Sequence, residues 1–289
     1  MVPFRLRMGT ALALAALASL ASGQDTHNIK IDPAGESTRA FLSYTDSAAE
    51  ALLARLYETP KYLDYKPFAM LLTNASGQAI VLVTVRWSGM SNNKTVVVDY
   101  SCHSLMRDVP GGSGVGGGTM FDPRNPFLEQ GGGHMAADGP VVLGAGERMI
   151  VAPGLMAREA YVRQYGRTNA SSWSSSTVRL VSAALLTVSL DLVVLEDGSV
   201  YGPDNSHTIE GLLTQKAAMD FVAGYVRAAE QKGIDGVEAL RMLVNYAMEP
   251  VSPEARRRGQ IARILMSSRD WRQQLAKMAA FQLPRFQRK

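Results

Sequence analysis

The sequence predicts a mainly β protein with a helical end: an antiparallel β-sandwich over 66–204, then an α-helical region over 205–289. Three observations carry this. About seven or eight short apolar runs between Phe68 and Tyr201 are separated by turn residues and not by helical stretches, which favours antiparallel hairpins over a parallel α/β sheet. Within those runs the residues alternate, Val188, Leu190, Leu192 and Val194 against Thr187, Ser189, Asp191 and Val193, as a half-buried strand requires. After Asp204 the period lengthens, with apolar residues recurring three and four apart.

The N-terminus reads as a targeting segment. Arg5 and Arg7 precede Thr10 to Ser22, a run of Thr, Ala, Leu and Ser only, closed by Ala21, Ser22 and Gly23. This is the basic, apolar, small-residue order of a secretory signal peptide over 1–23. The run is well short of the roughly 20 residues of a membrane-spanning helix. Cleavage after Gly23 would leave Gln24 first, and an exported protein, periplasmic or extracellular, is the expectation. With one cysteine, Cys102, no intramolecular disulfide can form, so stability has to come from burial.

A leader over 24–65 follows, its first part extended or forming a first edge strand around Arg39 to Tyr44, with one helix through Ala51, Leu52, Leu53, Leu56 and Tyr57. Asp46 or Ser47 can cap that helix and Thr59-Pro60 ends it. Phe68 to Thr73 and Ala79 to Trp87 read as a hairpin across Asn74 to Gln78. In the second run Val81, Val83, Val85 and Trp87 share one face, and Ile80, Leu82, Thr84 and Arg86 the other. Lys94 to Tyr100 is a β-branched strand. Val141 to Leu143 and Arg148 to Val151 flank Gly144-Ala145-Gly146-Glu147 as a hairpin or corner, and Asp197-Gly198 turns the strand ending at Leu195 into Val200-Tyr201.

Leu71 to Ile80, the turn Gly144 to Glu147 and the ending Leu195 to Asp204 resemble exported bacterial proteins with immunoglobulin-like sandwich domains. The resemblance covers roughly Lys66 to Asp204 and implies an Ig-like sandwich, with no site residues attached. The Cys...Trp...Cys pattern of antibody domains is missing.

Four helices are predicted beyond Asp204. The first runs from Thr208 to about Gln231 with a broad apolar stripe through Leu212, Leu213, Ala217, Met219, Phe221, Val222, Tyr225 and Val226. Asp235 and Glu238 cap a second, and Ser252-Pro253-Glu254 starts a third. A fourth spans Ser268 to Gln282. Each is too amphipathic to stand alone, so they should pack together or onto the sandwich.

Chemistry is harder to read. The segment 110–139 holds nine glycines among the 23 residues from Gly111 to Gly133, and Gly112 to Gly117 matches GxGxxG in form. Asp108-Val109-Pro110 precedes it and Met120-Phe121-Asp122-Pro123 follows, so the strand and helix that would cradle a pyrophosphate are missing. The segment reads as a long inter-strand loop, with Phe121 and Arg124 as side chains able to fold over a ligand. Cys102-His103 are strand neighbours pointing to opposite faces, and His27, His134 and His207 are dispersed. Ser171 to Ser176 contain no nucleophile elbow; Trp173 among them is a candidate sugar-stacking aromatic with Tyr161, Tyr165 and Trp87, although core packing explains Trp87 at least as well. Glu147, Glu159, Asp191 and Glu196 are carboxylates without a diagnostic spacing. No cofactor and no metal are expected.

Charge is concentrated at one end. Residues 251–289 carry ten Lys+Arg and two Asp+Glu, a net of +8 in a chain of net +4. Arg256, Arg257, Arg258 and Arg263 lie on the third helix, with Arg256 and Arg263 on one face and Ile261, Ile264 and Leu265 turned inward. An envelope component or an acidic protein suits such a surface, and nucleic acid is not expected. The sequence thus favours an exported non-catalytic envelope-interaction or ligand-binding module, the alternative being an extracytoplasmic hydrolase with the glycine-rich loop as its flap.

Overall fold

The structure, a computed structural model, describes residues 29–31, 42–44, 70–106, 108–109, 120–121, 128–136, 140–152, 155–159, 180, 183, 186–246 and 252–289. The signal segment and the leader helix of the sequence reading lie outside the described residues. Among those described, strands form two open sheets and four helices follow.

Valine-rich runs make the centre. β4 (Ile80–Ser91) and β5 (Lys94–His103) form a long antiparallel hairpin, closed by Asn92 and Asn93 at φ 52° and 59°. Both residues are left-handed, as a two-residue turn matched to strand twist requires, and asparagine tolerates that conformation best after glycine. β10 (Leu186–Leu195) pairs antiparallel with the other side of β4, and β11 (Ser199–Tyr201) returns along β10 through the Asp197-Gly198 turn. β7 (Leu128–Ala136) adds to β5 with β6 (Met120–Phe121) outside it, while β1 (Ile29–Ile31) pairs with β10 and the C-terminal β12 (Gln287–Arg288) with β11. The smaller sheet runs β2 (Leu42–Tyr44), β3 (Met70–Thr73), β8 (Arg148–Ala152), β9 (Leu155–Arg158), all antiparallel.

Four expectations change here. Three pairs of the larger sheet, β5–β7, β1–β10 and β11–β12, are parallel, so the β region is mostly and not wholly antiparallel. The segment 110–139 carries β6 and β7, so it is not one loop; Gly131 to Gly133 lie in the ladder opposite Val98 to Tyr100, because pairing needs only backbone N–H and C=O. Phe68–Trp87 is not a hairpin: β3 and β4 belong to different sheets, and 74–79 is a corner between them.

The fourth change is the face assignment. Between β10 and β4 the register slips twice, with Asp191 extra on β10 and Val81 extra on β4. Each extra residue inverts the alternation beyond it. Val188, Leu190, Val193 and Leu195 therefore share a core with Val83, Val85 and Trp87, whereas Leu192 and Val194 join Val81 and Leu82 on the opposite face.

The larger sheet consequently buries both faces. One face shares a core with Met70, Leu72, Met149, Ile150 and Val151 of the smaller sheet. On the other, Leu82, Leu192, Val194 and Val200 pack with α1 (Thr208–Gln231), α2 (Gly236–Tyr246), α3 (Pro253–Met266) and α4 (Trp271–Ala280), through Leu212, Met219, Leu240, Ile261, Leu265 and Met278. Each such aliphatic side chain contributes about 1.5–3 kcal/mol by leaving water. The capping signals hold: Ser252 Oγ accepts from Ala255 N at 3.3 Å, and Asp235 Oδ1 from Val237 N at 2.9 Å. Gly236 opens α2 where the Trp271 ring of α4 lies so close that a Cβ would meet it at 2.5 Å.

Candidate functional site

Of the carboxylates named from the sequence, the fold engages Asp191, Glu147 and Glu159 otherwise and leaves Glu196 exposed at the end of β10. Asp191, on the bulge of β10, is fully buried; its carboxylate accepts from Asn205 N at 2.9 Å and Ser206 N at 2.8 Å, and its carbonyl from Asp204 N at 2.9 Å. Gly202, at φ 96°, lets the returning chain pass, since a Cβ there would stand 2.5 Å from the Asp191 carbonyl oxygen. Asp204 in turn accepts from Thr208 N at 2.8 Å and Ile209 N at 3.3 Å, capping α1. A buried chain of hydroxyls, Ser101 to Thr84 at 2.8 Å, Thr84 to Thr208 at 3.2 Å and Thr208 to Ser206 at 2.8 Å, ties sheet to helix.

Arg86 completes this joint with a two-pronged pair to Asp99 at 2.7 and 2.8 Å and lies 4.0 Å from Asp191. Burial opposes its charge, but the bonded Asp99, with Asp191 and Asp204 nearby, holds its pKa above the ordinary arginine value. Glu147 pairs with Arg158 at 2.7 Å and Glu159 with Arg148 at 2.6 Å across β8–β9. Cys102 lies in the core between the sheets and His103 on the opposite face of β5, as strand geometry predicts. Among the described residues no three His, Cys, Asp or Glu converge to hold a metal ion.

The joint is therefore a device of assembly, and it carries a pH signature. Burial raises the Asp204 carboxyl above its ordinary value, against the lowering effect of the two backbone N–H groups. The folded chain then keeps that proton to higher pH than the unfolded chain, so this group's contribution to stability falls as pH rises above about 4. Asp204→Asn keeps an acceptor for Thr208 N and suits φ 55°; it should match wild-type stability at pH 7 within about 0.5 kcal/mol and lack that fall. Asp204→Ala should lose about 1–2 kcal/mol with the cap. Urea unfolding between pH 4 and 7 checks both.

The basic residues named from the sequence divide. On α3, Arg256 is exposed, Arg257 reaches across to the Gly211 carbonyl of α1 at 3.3 Å, and Arg258 lies over the Phe221 ring with its Cζ 3.9 Å from the centroid. Arg263 sits in the last turn. Ile261 and Leu265 turn inward as expected, but Ile264 is 43% exposed, because the buried stripe of α3 runs through positions 255, 261, 262 and 265. Phe121 is in β6 opposite Glu129, while Arg124 and Trp173 lie outside the described residues.

Arg258 leads to a surface that the sequence reading missed. Phe221 stacks on Tyr225 with ring centroids 6.1 Å apart and 14° between planes, and Tyr225 Oη lies 3.7 Å from Met242 Sδ on α2. Tyr246 follows Met242 by one turn. Phe221, Met242 and Tyr246 are 40%, 41% and 60% exposed. Of the broad apolar stripe of α1, burial takes Leu212, Met219, Val222, Val226 and their neighbours, leaves Tyr225 half-buried at the edge of the core, and leaves Leu213 and Phe221 exposed on the adjoining face.

No protein-family model, curated protein or solved structure matches the chain. What the surface can hold follows from its side chains: aromatic rings, a thioether and a guanidinium, the residue types that concentrate binding energy at protein interfaces. No helix among the described residues is long and apolar enough to cross a membrane.

Proposed function

We propose that the protein is an exported, non-catalytic interaction module of the periplasm or the extracellular medium, which captures an envelope component through its helical half. The observation that carries this reading is the exposed Phe221, Met242 and Tyr246, with half-buried Tyr225 between the first two, beside Arg258. Water-facing aromatics joined across two helices mark a binding surface more than scattered apolar residues do. We further infer that the two sheets are the faces of an Ig-like sandwich; their shared core supports this, and the parallel β5–β7 pair departs from the usual pattern. The hydrolase alternative gains nothing from Glu147, Glu159 and Asp191, which hold arginines or backbone amides.

The test uses the full mature chain, because a chain ending at 204 would uncover Leu82, Leu192 and Val194. Wild type and a Phe221→Ser/Tyr246→Ser double variant are co-sedimented with isolated cell envelope at low and high salt. The expected result is capture of wild type and at least about ten-fold weaker capture of the variant, the loss of roughly 1.4 kcal/mol that a single interface anchor supplies. Equal capture of both, or none of wild type, would overturn the proposal.

A further inference from the structure

The chemistry of the patch specifies its partner further, on the reading of that patch as a docking surface. Arg258 is half-buried, with its guanidinium over Phe221 and its Nε shielded from water without a hydrogen-bond acceptor. Among the described residues it makes no hydrogen bond and no ion pair, whereas Arg86, Arg148, Arg158, Arg241 and Arg272 each hold a carboxylate. Its stem is fixed by the ring, so its planar fork is positioned to take two oxygens with little further loss of freedom. The segment that contains it, 251–289, has a net charge of +8.

We infer that the patch docks an acidic amphipathic segment of a partner protein, one carboxylate on Arg258 and apolar side chains over Phe221, Tyr225 and Met242. A neutral apolar partner would cover the guanidinium and leave its fork without an acceptor, because Glu254, one turn earlier and near enough to feel its charge, forms no ion pair with it. An anionic bilayer fits less well: Glu238 lies one turn before Met242 on the same side of α2, and Asp220 adjoins Phe221. Both acids are paired within the chain, to Arg241 and Lys216; a continuous anionic surface over the patch would set like charge on them, whereas a single segment can place its carboxylate at Arg258 and uncharged side chains beside both acids. In an isologous dimer the two basic α3 helices would face each other.

The test measures binding of a fluorescent 20-residue Leu/Glu amphipathic helical peptide to the full chain by anisotropy at low salt. Its partners are the same peptide with Gln for Glu, phosphatidylglycerol vesicles, and sedimentation of the protein alone. Wild type should bind the Glu peptide at least ten-fold tighter than the Gln peptide. Arg258→Gln should erase that preference and Arg258→Lys should retain only part of it, since the point charge lacks the fork. Arg269→Gln, equal in charge change but eleven residues further along, should leave it intact. Circular dichroism checks that each variant folds. Equal binding of the two peptides, equal effects of Arg258→Gln and Arg269→Gln, capture of vesicles but not peptide, or self-association through the patch would each overturn the inference. If the double variant of the preceding section still loses envelope capture in that event, the docking surface stands and only the acidic partner falls.

Discussion

Asp191→Ala is expected to lower the unfolding free energy by about 3–5 kcal/mol, the cost of removing a buried carboxylate that holds two backbone donors beside a half-buried positive charge. Three consequences combine. Asn205 N and Ser206 N, in the part-buried loop before α1, lose their acceptors at 2.9 and 2.8 Å. Arg86 keeps Asp99 but loses the second negative charge 4.0 Å away. The loop 202–206, which those bonds fold against the bulge, no longer has a fixed place from which to deliver Asp204 to the helix N-terminus. Asp191→Asn keeps one acceptor oxygen and should lose about half as much. Asp197→Ala, on the exposed β10–β11 turn, removes bonds to Ser199 and a weaker one with Gln78 and should cost under about 1 kcal/mol. Urea unfolding of the three variants ranks them; a loss below about 1 kcal/mol in Asp191→Ala would mean that the joint is held elsewhere.

That joint also explains which parts of the fold were legible in the sequence. Local signals read true: Ser252-Pro253-Glu254 opens α3, Asp235 caps α2, Asp197-Gly198 turns β10 into β11, and α1 spans Thr208–Gln231 as its period predicts. Each of these is decided within four or five residues. The Asn92-Asn93 turn was equally local and could have been read the same way. The bulge at Asp191 could not, because an alternating run has no internal mark of an extra residue; only the partner strand reveals that Leu190 faces Val85 and Leu192 faces Thr84. The direction of the chain after a turn is likewise non-local, which is why a stretch with good hairpin chemistry became a corner between sheets.

The surface patch stood between these cases. Arg258 was among the candidate residues, yet its aromatic support, Phe221, lies on another helix 37 positions earlier. A sign was present in α1, whose apolar residues span a wider arc than one buried stripe uses. The excess is what faces water. Charge told the same half of the story: the basic end was plain from composition, but only the packing of α1, α2 and α3 separates an arginine bonded to a carbonyl, Arg257, from one laid on a ring, Arg258.

Asn74 is the corner's equivalent of Asp191, and its replacement should be as damaging by a different route. Its buried Nδ2 faces the carbonyl oxygens of Gln78, Leu143 and Gly144 at 2.8, 3.1 and 3.0 Å, so two N–H protons serve three acceptors. Its Oδ1 accepts from Ser76 N and Oγ, and its backbone exchanges bonds with Glu147 and Gly146. One side chain thus fastens the exit from the smaller sheet to the turn that leads back into it. Asn74→Ala should cost about 3–4 kcal/mol, since the carbonyl groups lose a donor that the interior cannot replace. Asn74→Asp is sharper. An ionised carboxylate would aim negative charge at three carbonyl oxygens, so the folded chain would hold the proton to a higher pH than the unfolded one. With the folded pKa raised, the deficit of Asn74→Asp relative to wild type should be smallest below about pH 4 and should widen as pH rises toward 7. Paired urea titrations across that range measure the deficit, and a deficit that stayed constant with pH would mean that the corner opens to water and that Asn74 does not bridge the two sheets' connections.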